Sequence, residues 1–192
     1  MTRTQRAQRG FTLVELMVVV AIVSVLATAA GLYLRPVTRP IDVAVRVGDL
    51  MREANQRAIA LGPVRGDVAV AIGTRARTRV RAIGAAPQPT FVVERLEEAP
   101  EPASTATWFE IGRYTVDSAV VADSFSNGVA AHGALPVSTA WTSFSASCYP
   151  DGRCDARTLY FRLATSASDA ETFARMSVLP LGGAIMTRKD WN

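Results

Sequence analysis

The sequence predicts an α+β protein in which a long N-terminal helix packs on a two-sheet antiparallel β domain. Three observations support this fold class: an uncharged apolar run near the start, helical periodicity after it, and period-two alternation beyond Pro63. A chain of 192 residues is long enough for one domain with its own core, together with a membrane anchor. The predicted division is a short basic N-terminal segment, residues 1–10, an N-terminal helical region, residues 11–62, and a globular β-rich domain, residues 63–192.

The apolar run predicts a membrane helix. Its 19 residues, Leu16 to Leu34, carry no charge, and about 20 are needed to cross the ~30 Å hydrocarbon core of a bilayer. We expect the transmembrane segment at about 13–34. The arginines before it should stay in the cytoplasm, which places the rest of the chain on the far side of the membrane.

An ordinary cleavable signal peptide is the alternative interpretation of this segment. A basic start, an apolar stretch and Ala27-Thr28-Ala29 all fit such a signal. Glu15 argues against it, because a carboxylate inside an apolar membrane segment is costly unless it has a partner or a function.

The net charge gives little support for a nucleic-acid binder. The whole chain carries 21 basic and 17 acidic residues, a formal charge of +4. Without residues 1–10, which contain three arginines and no acid, the balance is 18 against 17, or about +1. Most of the basic excess therefore belongs to the first ten residues.

An amphipathic helix is predicted from Ile41 to the Gly62-Pro63 pair, after Pro36 and Pro40 interrupt the preceding helix. One face is apolar and the other charged. The apolar face holds Val43, Val47, Leu50, Ala54, Ala58 and Leu61, and the charged face holds Arg46, Asp49, Arg52, Glu53 and Arg57. We expect the apolar face to dock on the β domain.

Short segments of period-two alternation predict the strands of two packed sheets. They are Asp67–Ile72, Arg75–Ile83, Phe91–Leu96, Trp108–Ile111, Tyr114–Ala122, Thr142–Cys148, Thr158–Ala164, Phe173–Leu179 and Ala184–Thr187. The proline-rich segments 85–90 and 97–104 are expected to be exposed loops.

The N-terminal motif carries a family resemblance. It reads Gly10-Phe11-Thr12-Leu13-Val14-Glu15-Leu16 after a short basic leader. It resembles the type III signal of type IV pilins and of type II secretion pseudopilins. The resemblance implies that a prepilin peptidase cuts after Gly10 and methylates the new amino terminus at Phe11. Glycine suits that cut because it brings no side chain into the peptidase cleft.

The same resemblance implies a location and partners. The chain would be a single-pass protein of the bacterial inner membrane with a periplasmic domain, and would then enter a pilus or pseudopilus. Other pilins or pseudopilins would contact it through the N-terminal helix. Glu15 would pair there with the Phe11 amine of a neighbouring subunit, which offsets the cost of burying both charges.

A second segment resembles the Pro-Asp-Gly hairpin of GspH/FimT pseudopilins, which include FimU-like minor pilins. It runs Ser143-Phe144-Ser145-Ala146-Ser147-Cys148-Tyr149-Pro150-Asp151-Gly152-Arg153, followed by Thr158-Leu159-Tyr160-Phe161. Pro150 suits the turn and Gly152 supplies a positive φ. In an exported chain, Cys148 and Cys154 are expected to form a local disulfide, and two free thiols are the alternative.

Four alternating arginines form the only candidate for DNA contact. In one strand, Arg75, Arg77, Arg79 and Arg81 would project from the same face, a set we call the arginine stripe. FimT-like pilins are associated with DNA uptake, and such a stripe could neutralise phosphates. The alternative is a solvated strand face balanced by acids on a neighbouring strand, and we favour it because no aromatic residue interleaves for base stacking.

Nothing in the sequence indicates an enzyme. His132 is the only histidine, no nucleophile motif or phosphate-binding loop is present, and we predict neither a cofactor nor a metal site. The expected function is a structural subunit, a minor pilin or pseudopilin at or near the tip of a type IV pilus or type II secretion pseudopilus. The alternatives are a pilus-associated DNA receptor and an ordinary secreted β protein.

Overall fold

The computed structural model describes residues 13–33, 38–129, 136–165, 173–180 and 185–189. The chain divides into two compact units, residues 1–37 and residues 38–192. The first contains helix α1, Leu13–Tyr33, and the second contains all the remaining helices and strands among the described residues. Every residue of the main hydrophobic core belongs to the second unit.

Helix α1 is apolar along its length, with Glu15 in its first turn. Its two hydroxyl residues do not disturb the helix, because Ser24 and Thr28 each donate a 2.8 Å hydrogen bond to the carbonyl oxygen four residues earlier. Among the described residues, no helix combines the length and the apolar character needed to cross a bilayer. The transmembrane segment at about 13–34 stays a prediction.

Helix α2, Pro40–Leu61, is the amphipathic helix expected from the sequence. Pro40 occupies the first helical position, where its missing N–H costs nothing. The Asp42 carboxylate accepts a 3.0 Å hydrogen bond from the Arg39 N–H and so satisfies the start of the helix. Gly62, at φ 67°, ends it. The buried face includes Val43, Val47, Met51, Ala54 and Ala58.

Two antiparallel sheets form the rest of the second unit, which confirms the predicted fold class. The strands are β1 Thr78–Ile83, β2 Thr90–Glu98, β3 Ala106–Thr115, β4 Val120–Asn127, β5 Val137–Ser138, β6 Ser145–Cys148, β7 Arg157–Leu163, β8 Phe173–Val178 and β9 Ile185–Arg188. The first sheet has the order β3-β2-β1-β6 and the second β5-β4-β7-β8-β9.

An aromatic cluster fills the space between the sheets. Phe91, Phe125, Trp141, Phe144 and Phe161 lie with ring centroids 5.2–6.5 Å apart, mostly edge to face. Trp141 is buried, and its indole Nε1 donates a 3.0 Å hydrogen bond to the Ala122 carbonyl oxygen. Each buried ring removes 150–250 Å² from water in typical proteins, so this cluster is a main source of the domain's stability.

One predicted strand is wrong. Residues 66–72 form a short helix, α3 (Gly66–Ile72), where the sequence predicts the strand Asp67–Ile72. Only Val68 is buried, and Val70 is 85% exposed. Alternation over so few residues cannot distinguish a helix with one buried position from a strand. Strand β1 pairs with β2 on one side and with β6 on the other, so residues 66–72 do not pair beside it.

Other boundaries also differ from the predictions. The predicted break between Trp108–Ile111 and Tyr114–Ala122 is a bulge inside β3, opposite Val93 and Glu94. The predicted strand Tyr114–Ala122 is divided, because β3 ends at Thr115 and β4 begins at Val120. The predicted strand Thr142–Cys148 begins as a 3-10 turn, Trp141–Ser143, before β6.

Candidate functional site

The processing motif lies at the edge of the described chain. Gly10 and Phe11 lie outside the described residues, and α1 begins at Leu13. Glu15 is exposed and lies in the first turn of α1. A carboxylate is favourable there because the positive end of the helix dipole lies at the N-terminus. The roles of Gly10, Phe11 and Glu15 in processing and assembly remain predictions.

A disulfide closes the predicted turn. Cys148 and Cys154 are joined, with their Cα atoms 4.1 Å apart. Inside this loop the Gly152 N–H donates a 3.0 Å hydrogen bond to the Tyr149 carbonyl oxygen, and Gly152 has the expected positive φ of 82°. We call residues 148–154 the disulfide turn.

The strands on either side of the disulfide turn do not form a hairpin with each other. Strand β6 pairs with β1 in the first sheet, whereas β7 pairs with β4 and β8 in the second. The hairpin prediction is therefore wrong beyond Asp155, whose N–H still donates a 2.8 Å hydrogen bond to the Ser147 carbonyl oxygen. Thr158, Leu159, Tyr160 and Phe161 are all buried, so β7 must lie inside a sheet covered on both faces.

Local charges shape the surface of the disulfide turn. The Arg153 N–H and guanidinium both bond the Asp151 carboxylate, with Nε 2.7 Å from Oδ2, and these bonds lower the pKa of Asp151. Burial and the nearby Asp155 carboxylate raise the pKa of Tyr149. Tyr149 therefore stays neutral at physiological pH and offers a hydroxyl group beside an exposed ion pair.

The structure divides the arginine stripe. Only Arg79 and Arg81 lie in β1, because the strand begins at Thr78. Both contact the same carboxylate: Arg79 Nε is 2.6 Å from Glu94 Oε2, and Arg81 Nε is 2.8 Å from Glu94 Oε1. The Glu94 side chain is only 7% exposed. The Arg79 guanidinium also stacks on Trp108, 4.2 Å from the ring centroid.

Arg77 has a structural role at the end of α2. Its Nε donates a 2.7 Å hydrogen bond to the Gly62 carbonyl oxygen, and its Nη2 donates one of 2.9 Å to that of Pro63. Its Nη1 lies 2.5 Å from Glu98 Oε1. A cation here satisfies carbonyl groups left open at a helix C-terminus. Arg77 therefore holds α2 to the end of β2.

Arg75 differs from the other three arginines of the stripe. It is exposed, and it has no acidic group within ion-pair distance among the described residues. Sequence reasoning expected acids on a neighbouring strand but did not name Glu94 or Glu98. These two acids can be identified only from the register of β1 on β2, which places Arg79 opposite Glu94. The structure thus gives three of the four arginines a counter-ion.

A cleft of about 660 Å³ lies between α3 and the disulfide turn. We call it the α3 cleft. Val64, Ala69 and Val70 line one side, and Tyr149 and Pro150 line the other. The sequence does not predict this cleft, because its alternation predicts a strand at residues 67–72. The signal that could have found it is Gly62-Pro63 followed by Gly66, which breaks the chain into a turn before a new element.

The comparisons with known proteins concern the N-terminus. Residues 5–31 match the family model of the prokaryotic N-terminal methylation motif. This match supports the prepilin-type signal expected from Gly10, Phe11 and Glu15. It implies processing by prepilin peptidase and assembly with other pilins. Neither the curated proteins nor the solved structures contain a match to this chain.

Proposed function

We propose that this protein is a minor pilin or pseudopilin, a structural subunit at or near the tip of a type IV pilus or a type II secretion pseudopilus. The observation that carries the proposal is the N-terminal methylation motif at residues 5–31. In this proposal the protein is no enzyme. The α3 cleft and the disulfide turn serve binding, and α1 serves anchoring and assembly.

The fold supports the same proposal. An apolar helix precedes a compact unit that has its own core, and α2 contributes a full face to that core. Such a chain can sit in the inner membrane through α1 and then enter a filament with its domain in the periplasm. The Cys148–Cys154 disulfide is suited to that oxidising compartment. The GspH/FimT assignment also belongs to this proposal.

The test is the chemistry of the amino terminus. Intact mass and N-terminal sequencing of protein extracted from membranes should show a chain that begins at methylated Phe11. The variant Gly10→Val should keep its leader, because the added side chain hinders entry of the backbone into the peptidase. Gly112→Val, the same substitution outside residues 5–31 at a position where an added Cβ meets no heavy atom within 4 Å, is the matched control and should be processed normally. A chain that begins at Ala30 would refute the proposal and indicate an ordinary signal peptide.

A further inference from the structure

The α3 cleft presents an apolar surface that the domain itself does not cover. Val70, one of the residues that line the cleft, is 85% exposed. A second exposed apolar residue is Ile59, in the last turn of α2, which is 51% exposed. Ile59 lies beside the disulfide turn, since a Cβ at Gly152 would be 3.5 Å from its Cδ1 atom. Exposed apolar side chains grouped around a cleft are typical of interaction sites.

The positive charge on the rim of the cleft favours an acidic partner. Arg75 and Arg153 lie on its rim with one acid, Asp151, which is bound to Arg153. Arg75 is left without an acidic neighbour among the residues described, so the rim has an excess of one positive charge. A carboxylate from a partner would complete the set of charges.

Both walls of the cleft are held in place before any partner arrives. The disulfide and the 2.8 Å hydrogen bond from the Tyr149 N–H to the Arg153 carbonyl oxygen fix one wall. The α3 wall is tied to the loop after β2, because Arg65 Nη2 donates a 2.6 Å hydrogen bond to the Ala103 carbonyl oxygen. Ser104 donates a 2.8 Å hydrogen bond to the Asp67 carboxylate. A preformed site loses little conformational entropy on binding.

We propose that the α3 cleft binds an extended acidic segment of a neighbouring filament subunit. An apolar side chain of that segment packs against Val70, and an aspartate or glutamate carboxylate pairs with Arg75. The inference rests on the proposed function, because the partner is a subunit of the same assembly. Nucleic acid is a poorer fit, since duplex binding requires several phosphate contacts and the cleft offers one uncompensated cation among apolar side chains.

Photo-crosslinking in the producing cells tests this inference on the full-length chain. The variant Val70→p-benzoylphenylalanine places the probe at the cleft. The control is Val129→p-benzoylphenylalanine, at an exposed position that does not line the cleft. We expect an adduct from position 70 whose cross-linked partner peptide, identified by mass spectrometry, contains Asp or Glu beside apolar residues. Position 129 should not give this adduct.

A second substitution decides whether the cleft itself makes the contact. Gly66 lines the cleft, has no positive φ, and a Cβ built on it meets no heavy atom within 4 Å. Gly66→Phe should therefore fill the cleft without strain and abolish the adduct, while Gly66→Ala should preserve it. Arg75→Gln should lower the yield by about two- to fivefold, as expected for an exposed ion pair, and Arg75→Lys should restore it.

The outcomes separate this inference from the proposed function. Normal cleavage after Gly10 and normal recovery in filaments, with no adduct at position 70, would overturn the cleft assignment alone. An adduct that persists in Gly66→Phe, or one formed with nucleic acid or lipid, would also overturn it. Failure of cleavage would count against the proposed function.

Discussion

Glu15 is the residue on which filament assembly is expected to depend. It is the only acidic residue of α1 and lies in its first turn. In the proposed filament its carboxylate pairs with the methylated amine of a neighbouring Phe11. Each charge would otherwise be buried without compensation among apolar helices.

We therefore expect Glu15→Val to separate processing from assembly. The variant should remain in the membrane and be cleaved, because valine suits lipid better than glutamate. Its recovery in sheared filaments should fall at least about fivefold, which corresponds to ~1 kcal/mol. Immunoblots of sheared filaments and membranes give the ratio, with Val18→Leu as the control. Equal recovery of Glu15→Val would show that Glu15 is only a surface charge.

Glu94 is the residue that holds the outer face of the first sheet together. Both of its oxygens are occupied, one by Arg79 and one by Arg81, and its side chain is nearly buried. Since Arg79 is also stacked on Trp108, the carboxylate connects three neighbouring strands.

Removal of the Glu94 charge should destabilise the domain. We expect Glu94→Gln to lower the free energy of unfolding by about 1–3 kcal/mol, less than for a fully buried pair because both arginines are partly exposed. The control is Glu97→Gln, whose partner Arg95 is on the surface, and its cost should be below ~0.5 kcal/mol. Urea unfolding followed by circular dichroism measures both. Equal effects of the two variants would contradict the role given to Glu94.

At the scale of elements, the disulfide turn decides where the chain changes sheets. The disulfide closes a loop with a sequence separation of 6 residues between β6 of the first sheet and β7 of the second. Because the two strands have no ladder in common, the covalent bond and the local hydrogen bonds carry this crossover. The same loop forms one wall of the α3 cleft.

The disulfide can be detected and its contribution measured. Trypsin cuts after Arg153, inside the loop, so the peptide Cys154–Arg157 should appear alone only after reduction. Reduction should cost about 2 kcal/mol by the loop-closure estimate, or about 4–8 °C in Tm for a domain of this size. The double variant Cys148→Ala, Cys154→Ala should show no response to reductant. Freely alkylated thiols in the native exported protein would refute the bond.

At the scale of the whole molecule, charge balance argues against a DNA receptor. Without residues 1–10 the chain carries 18 basic and 17 acidic residues. Three of the four arginines in the stripe are committed to Glu94 or Glu98. Phosphate binding by those three would require the release of buried or half-buried acids.

We expect no shift of duplex DNA by the purified mature protein at ~0.15 M salt. If DNA binds at lower salt, log affinity should fall with log salt concentration. The steepness of that fall should decrease by about 0.9 in Arg75→Gln, which removes one phosphate contact. Replacement of all four arginines is a poor test, because it removes both counter-ions of Glu94 and leaves Glu98 with Arg65 alone, which should destabilise the fold. Tight binding at ~0.15 M salt, weakened by Arg75→Gln, would favour the DNA receptor over the structural subunit.

The sequence by itself determined the features that depend on neighbouring residues along the chain. These are the prepilin-type motif at Gly10, Phe11 and Glu15, the limits of α2 at Pro40 and Gly62, and the two-sheet class. Caps, turns and apolar periodicity act within a few residues, so they can be recognised in the sequence.

Only the tertiary structure decided the features that depend on distant partners. Residues 67–72 form part of a helix, although their alternation along the chain predicts a strand. Arg79 and Arg81 became structural because the register of β1 on β2 places Glu94 beside them, 13 to 15 residues away in sequence. Strand β7 left its predicted hairpin because its four buried residues require cover on both faces. For β1 and β7, ion pairing between neighbouring strands and burial on both faces of the sheet outweigh the local preference of the segment.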